Sequence, residues 1–448
     1  MPTSTGLLTD RYELTMLTSF VTDGTAEHPA VFEAFARRLP EGRRYGVLAG
    51  LGRLLPLIAD FSFADDEVDW LLGQGVVNEV TADYLRAFHF SGDVDAYPEG
   101  DLYFPGSPIL TVRGTLGECV LLETLVLSVL NHDSAIASAA ARMVLAAGGS
   151  PQDGGRPLVE MGSRRTQEES AVAVARAAYL AGFASSSNLA AGLRHGVPTV
   201  GTAAHAFTLA YPTEAEAFAS QVATQGVGTT LLVDTYDTAQ GIRTAVEVAG
   251  AGLGAIRIDS GDLADESASA RALLDELGAT GTRIIVTSDL DEYVLTALAD
   301  APIDGYGVGT RVATGSGHPT ASMVYKLVAV ADEPGGDLRP VSKKSHDKVS
   351  VGGRKTAWRR HGDGVLTEEF FTTGDDAERR SGPDVTRVQV AAIRAGEVVH
   401  SPDLAQVRAR CAAALATLPG PARSVAAGPS YLTVSHRTSP EATEGDQR

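Results

Sequence analysis

From about residue 156 the chain keeps one rhythm, and that rhythm limits its fold more than any other feature. A short apolar run ends in polar or glycine-rich residues, and an alanine-rich amphipathic stretch follows. PLVEMGS leads into QEESAVAVARAAYLA, GFASSS into NLAAGLRHG, VPTVGTAAH into EAEAFASQVAT and TTLLVDTY into TAQGIRTAVEVAGA. GAIRIDSGD then leads into ADESASARALLDELG, RIIVTSD into LDEYVLTALAD, and IDGYGVGT closes the series. Strand-like runs alternating with helical segments predict parallel strand–helix–strand units, because parallel neighbours need a long crossover. The rhythm carries no repeated sequence, so it reflects architecture and not a solenoid. A closed α/β barrel and an open doubly wound sheet both satisfy it, and both bind ligands at the carboxyl ends of the strands. No Gly-x-Gly-x-x-Gly opens a first helix and no Walker loop occurs, so an irregular α/β barrel is the expectation.

The rest of the chain reads differently. AVFEAFARRLP and DLYFPGSPILTVRGTL look like strands and turns mixed with helices, which suggests a separate α+β domain over residues 1–120. The barrel then takes 121–330. A C-terminal segment follows over 331–434, with strands near 330–370 returning to the first domain. A polar tail over 435–448 is expected to be disordered. A length of 448 residues suits two or three domains.

Bulk properties exclude several classes. The formal charge of −19 disfavours nucleic acid and anionic membrane surfaces, which need clustered Lys and Arg. Two cysteines, Cys119 and Cys411, cannot build a disulfide framework or a metal spacing, and read as buried thiols. The N-terminus has acidic residues and no apolar core of a signal peptide. The run Val120–Leu130 carries Glu123, stops at Asn131, His132 and Asp133, and is too short to span a bilayer. His132 reads as a helix-terminal histidine bonding backbone. A cytoplasmic protein is the expectation.

The unusual residues gather at the predicted strand ends. Asp234 with Asp237, and Asp259 with Asp262, stand in turns where carboxylates accept ribose hydroxyls or hold Mg²⁺. The plain alternative is helix N-capping. Gly307, Gly309 and Thr310 follow the last run, where barrels commonly bind phosphate on bare backbone N–H groups. Arg164 and Arg165 suit a carboxylate or phosphate, with one of the pair facing the site. Arg257, inside an apolar run, must find an anion or a hydrogen-bond partner. His205 follows Gly201, Thr202 and two alanines, and is either packed and inert or exposed and chemical.

LLTDRYELTM, FEAFARRLP, LYFPGSP, EMGSRRT, GTAAHAF, LLVDTYDT, IRIDSGDL and YGVGT together resemble the nicotinate phosphoribosyltransferase family, in order from Leu7 to about Trp358. That resemblance implies a type II phosphoribosyltransferase: an irregular α/β barrel with a second α/β domain, dimeric, with active sites at the subunit interface. It implies that nicotinate and 5-phosphoribosyl 1-diphosphate give nicotinate mononucleotide and diphosphate, with Mg²⁺ required and ATP hydrolysis coupled, in NAD salvage. By the same resemblance His205 is the histidine that ATP phosphorylates and Thr202 contacts nicotinate. Tyr12 covers the pyridine ring from the other subunit, and Arg164 and Arg257 bind substrate. Asp259 is a ribose-side carboxylate, Asp234 serves ribose or Mg²⁺, and Gly307, Gly309 and Thr310 form the 5-phosphate loop.

Rival readings fit less well. A nicotinamide enzyme would benefit from a carboxylate beside the base, and the Gly-Thr-Ala-Ala turn offers none. Quinolinate would want more cations. A Schiff-base aldolase needs a strand-end lysine, and the seven runs contain none. A catalytically dead barrel would lack the arginines, aspartates or glycine loop. The basic residues Lys343, Lys344, Lys348, Arg354 and Lys355 are open between phosphate contact and a solvated face.

Overall fold

The computed structural model describes residues 4–343, 351–374 and 384–437. Contacts divide the chain into two units. The first comprises Met1–Ala135, Thr320–Ala422 and Ala426–Arg448, and the second Ile136–Pro319 with Arg423–Val425. The divisions thus fall near residues 135 and 320, where the sequence suggests 120 and 330, and the C-terminal segment belongs to the first unit.

In the second unit the strands are Leu158–Glu160, Ser185–Ser186, Thr230–Leu232, Ala255–Ile258, Arg283–Ser288 and Gly305–Val308. Every pairing among them is parallel. Their spatial order follows the chain, and the last strand pairs with the first through Tyr306 and Leu158. That closure makes a barrel and not a doubly wound sheet. Leu231, Ile256, Ile258, Val286 and Val308 are fully buried, as strands covered on both faces require.

One predicted strand is nearly lost. The run Val197–Val200 pairs with its neighbour only as a bridge between Ser186 and Thr199. Pro198 has no N–H to give a ladder, although its carbonyl accepts from Ser186. No ladder among the described residues joins this run to Thr230–Leu232, so the ring stays open on that side. The helix His205–Leu209 sits in the sequence of that gap.

The crossover helices start where the sequence supplies caps. Gln167, Asn188, Thr213, Asp237, Asp262 and Asp291 each accept backbone N–H groups at the helix that follows. Asp237 and Asp262 are therefore spent on capping, and only their partners Asp234 and Asp259 remain for chemistry.

The first unit carries a seven-stranded antiparallel sheet ordered Arg339–Pro340, Met323–Val330, Pro29–Ala36, Leu110–Thr115, Asp93–Ala96, Val390–Arg394 and Glu397–Val398. Pro29–Ala36 is central and buried over most of its length. Lys355, in the basic stretch, is buried and bonds Glu33 at 2.8 and 2.9 Å. Its role is structural; Lys344 and Lys348 lie outside the described residues. Ser435–His436 pair beside Val365–Thr373, inside the stretch the sequence marks as tail. Residues 438–448 of that stretch lie outside the described residues.

The helix expected to stop at Leu130 continues. It runs Glu123–Ala146, through Asn131, His132 and Asp133. Asp133 is tolerated because Arg53 bonds it at 2.8 Å and His132 Nδ1 lies 2.9 Å from it. His132 is thus mid-helix and meets a carboxylate, not backbone. The stretch Leu116–Asp153 is long and apolar enough to cross a membrane by length and composition, and 67% of its most apolar window is buried inside the protein.

Candidate functional site

The carboxyl ends of the first, fourth, fifth and sixth barrel strands open into a cavity of about 290 Å³. Three arginines line it, Arg164, Arg165 and Arg257, with the carboxylates of Asp259 and Asp289. The sequence suggests one of Arg164 and Arg165 facing the site; both do. Gly307, Gly309 and Thr310 line the neighbouring end of the sixth strand. At Gly307 a Cβ would stand 2.4 Å from the Thr287 methyl and 2.8 Å from Met161 Sδ, so only bare backbone fits.

Arg257 projects from the strand Ala255–Ile258. Its guanidinium donates to Thr202 Oγ1 and, at 3.3 Å, to the Ala203 carbonyl. Asp259 Oδ2 is 3.9 Å away. Burial lowers the pKa of Arg257, Asp259 and Asp234 oppose that, and Arg164 adds to the lowering. Arginine keeps its proton, so the shift describes a cation with too little compensating charge. Its Nε is buried without a hydrogen-bond partner. An anion arriving in the cavity would supply what is missing.

Asp259 is fixed from two sides. Its Oδ1 accepts from the Thr287 hydroxyl, and its Oδ2 lies 3.8 Å from His205 Nε2. Asp234 stands behind it: Oδ2 accepts from the Asp259 backbone N–H at 2.8 Å and from Ser260 Oγ at 2.9 Å. Asp234 Oδ1 is buried and has no hydrogen-bond partner.

His205 begins its short helix with a side chain 39% exposed. Its Nδ1 is 3.1 Å from Thr235 Oγ1. A hydroxyl can accept from Nδ1–H, which leaves the Nε2 lone pair toward Asp259 and solvent. His205 is thus partly exposed and held by side chains, not packed.

Arg164, Arg257, Asp259, Gly307, Gly309 and Thr310 therefore share one cavity, and Thr202, His205 and Asp234 are each one contact from it. Tyr12 belongs to the first unit, on the helix Arg11–Asp23, and is not among the cavity's residues. The residue is 44% exposed, and its pKa is raised by burial and by Glu123 and Glu13.

Several residues escaped the sequence reading. Glu160 ends the first strand, fully buried, accepting from Gly162 N–H and, at 2.5 Å, from Ser186 Oγ. Burial raises its pKa, and those two hydrogen bonds oppose the rise. It holds the turn that presents Arg164 and Arg165, helped by Asn188, which donates to Ser163 Oγ at 3.0 Å. An acid ending an apolar run was the available signal, the same one that marked Arg257. Thr235 and Thr287 gave none, because a threonine is ordinary both in a bend after a strand and in a strand.

Comparison with known proteins identifies the family of the chain. The nicotinate phosphoribosyltransferase of Mycobacterium tuberculosis is 56% identical over 432 residues, covering 94% of this chain and 93% of its own length. The chain belongs to the nicotinate phosphoribosyltransferase family. Residues 7–131 match the N-terminal domain described for that family. The Bacillus subtilis family member is 38% identical over 366 residues, covering 80% of this chain and 73% of its own. The crystal structure of human nicotinic acid phosphoribosyltransferase superposes with a TM-score of 0.80 at 26% identity, over 95% of this chain and 97% of the human one. The family's two-domain α/β fold is thus the fold described above, and the irregularity of the barrel has a local cause in the Val197–Val200 run.

Proposed function

We propose that the chain joins nicotinate to 5-phosphoribosyl 1-diphosphate, releasing diphosphate and forming nicotinate mononucleotide for NAD salvage. The observation that carries this reading is one cavity combining three arginines with a bare glycine strand end. The glycines and Thr310 offer backbone N–H groups and a hydroxyl to the 5-phosphate. Arg257, short of anionic partners, suits the nicotinate carboxylate, with Thr202 beside it. Arg164 and Arg165 suit the diphosphate. The pyridine nitrogen attacks C1 of the ribose as the C1–oxygen bond breaks and diphosphate departs. The transition state is oxocarbenium-like, so Asp259 near the ribose would stabilise developing positive charge.

Mg²⁺ is part of the proposal. Among the described residues no group of three or more His, Cys, Asp or Glu could hold a metal by itself. Few protein ligands fit an ion that keeps waters and binds through substrate phosphates. Asp259 and Asp289 line the cavity, and Asp234 has one oxygen with no hydrogen bond. When bound, the ion would neutralise the departing diphosphate.

The ATP-coupled, ligase-type step is assigned to His205. With Nδ1–H donated to Thr235, Nε2 attacks the γ-phosphorus of ATP, ADP leaves, and water later cleaves the nitrogen–phosphorus bond to release phosphate. The added charge would reorganise the open side of the barrel and tighten substrate binding. A cytoplasmic homodimer with Tyr12 over the pyridine ring completes the proposal.

The test is a turnover assay with Mg²⁺ and 5-phosphoribosyl 1-diphosphate, comparing nicotinate, nicotinamide and quinolinate with and without ATP. Mononucleotide from nicotinate alone, with ATP stimulation and ³²P labelling lost in His205→Ala, is the expected result. Turnover indifferent to ATP would remove the phosphohistidine and keep the transfer reaction. No turnover with any base would remove both.

A further inference from the structure

The strands Arg283–Ser288 and Gly305–Val308 run level, their last paired residues being Ser288 and Val308. Beyond that pair the ladder ends, yet both strand ends line the cavity, through Ser288 and Asp289 on one side and Gly309 and Thr310 on the other. Something must keep two loops together where backbone pairing has stopped.

A buried side-chain chain does so. Glu292 begins the helix after the first of these loops. Ser316, in the loop after the second, donates its hydroxyl to Glu292 Oε2 at 2.7 Å. The other oxygen, Oε1, accepts from Arg142 Nε at 3.0 Å. Arg142 also donates to the Val425 carbonyl at 2.8 Å and to the Tyr293 hydroxyl at 3.3 Å, and its guanidinium lies over the Tyr293 ring. The Glu292 and Arg142 side chains are 3% and 4% exposed. A second, longer tether joins the same loops, Arg311 to Asp291 at 4.0 Å.

Ser316 adopts φ 54° between Gly315 at 59° and Gly317 at 85°. Three consecutive left-handed residues make a tight reversal that a serine enters only at a conformational cost. The hydrogen bond to Glu292 holds it there. The reversal in turn anchors the turn Thr310–Ala313, whose Thr310 carbonyl accepts from Thr314 N–H at 3.0 Å, while Thr314 carbonyl accepts from Gly317 N–H at 3.1 Å.

We propose that Ser316, Glu292 and Arg142 are positioning residues that lock the glycine loop in its phosphate-binding shape, and so set affinity for the phosphorylated sugar substrate and not for the base. This rests on the reading of Gly307–Thr310 as the 5-phosphate site. None of the three lines the cavity.

The experiment measures binding of ribose 5-phosphate by calorimetry, with KM for 5-phosphoribosyl 1-diphosphate and for nicotinate, in Ser316→Ala, Ser316→Asn and Glu292→Gln. Thermal melting confirms that each variant is folded. Ser316→Ala keeps the left-handed cost and loses the bond. It should weaken ribose 5-phosphate about tenfold and raise the sugar KM alike, leaving the nicotinate KM within about twofold. Asparagine tolerates the left-handed region and can donate to Glu292, so Ser316→Asn should recover most of the affinity. Glu292→Gln keeps an acceptor for Ser316 and should fall between. Unchanged sugar affinity in folded Ser316→Ala, or equal loss for sugar and base, overturns the proposal while the transferase reading stands. Wild-type protein that turns over nicotinate but does not bind ribose 5-phosphate removes the phosphate-loop reading and the proposal together.

Discussion

The two sides of the barrel are built on opposite terms. On the closed side, the last strand pairs with the first, Met161 and Thr287 crowd Gly307, and buried carboxylates hold the flanking turns: Glu160 with Ser186, Glu292 with Arg142 and Ser316. On the open side, Thr199 makes a single bridge, Gly201 has nothing within 4 Å of where a Cβ would stand, and His205 rests on a five-residue helix. Under the function proposed above, the closed side would hold the unchanging 5-phosphate, and the open side would leave room for the phosphoryl group proposed to come and go at His205, which a crowded wall could not accommodate.

The sharpest way to break this contrast is Gly307→Ala. Its methyl meets Thr287, which orients Asp259, so turnover should fall by about a hundredfold or more, with about 1–3 kcal/mol lost in thermal unfolding. A fully active, fully stable variant would mean that the closed side is not tightly fitted. Next is Arg257→Lys, on the boundary between the sides. Lysine keeps charge but cannot reach Thr202 and an anion together, and kcat/KM for nicotinate should drop by about ten- to a hundredfold. A smaller effect on nicotinate than on the sugar substrate would reassign the carboxylate's partner.

A smaller effect concerns acid stability. Burial alone would raise the Glu292 pKa, but the hydrogen bond from Ser316, its own backbone N–H and Arg142 outweigh it and hold the carboxyl below its ordinary range. Its stabilising contribution is present above the unfolded carboxylate pKa of about 4.3 and is lost as pH falls through the lower folded value. Glu160 has the opposite sign, its pKa raised by burial, so folding is penalised as pH rises from the unfolded value through the raised one. Melting curves from pH 3 to 7 should therefore show a shallower acid loss in Glu292→Gln and a shallower decline toward neutral pH in Glu160→Gln. Matching slopes in both would remove the distinction between a buried acid paired with an arginine and one held by neutral hydrogen bonds. The smallest effect belongs to Gly201→Ala on the open side, where stability should move by no more than about 0.5 kcal/mol. A large loss there would show that the open side is as crowded as the closed one.

Much of the site was legible because barrel chemistry sits at strand ends, and strand ends are audible in a sequence. The paired aspartates illustrate both the success and its limit. VDTYDT and RIDSGD each hold two, and the second of each caps a helix, while the first of RIDSGD, Asp259, lines the cavity and the first of VDTYDT, Asp234, braces Asp259 from behind. Spacing marked the turns but could not say which member was which, since both readings use a carboxylate accepting N–H groups. The run Val197–Val200 reads as a strand by its apolar residues, and Pro198 was the sign that it would pair poorly. The Arg142–Glu292–Ser316 chain was invisible, because its members are 150 and 24 residues apart in sequence and each looks ordinary where it stands. The helix through Asn131–Asp133 was cut short in the reading because the partner of Asp133, Arg53, lies 80 residues upstream.

The buried pair of Glu33 and Lys355 joins positions 322 residues apart. On a ribosome, the strand that carries Glu33 emerges long before its cation exists, by on the order of 16–64 s at ordinary elongation rates. For most of that interval the nascent first unit lacks the Met323–Val330 strand on one side of Pro29–Ala36, and for all of it the counter-ion for a carboxylate that ends up 2% exposed. The barrel unit, nearly continuous from Ile136 to Pro319, is synthesised in the meantime except for Arg423–Val425. The part of the protein translated first is therefore the part that finishes last, and until it does its longest sheet has an unpaired edge that a chaperone or a neighbouring chain can reach.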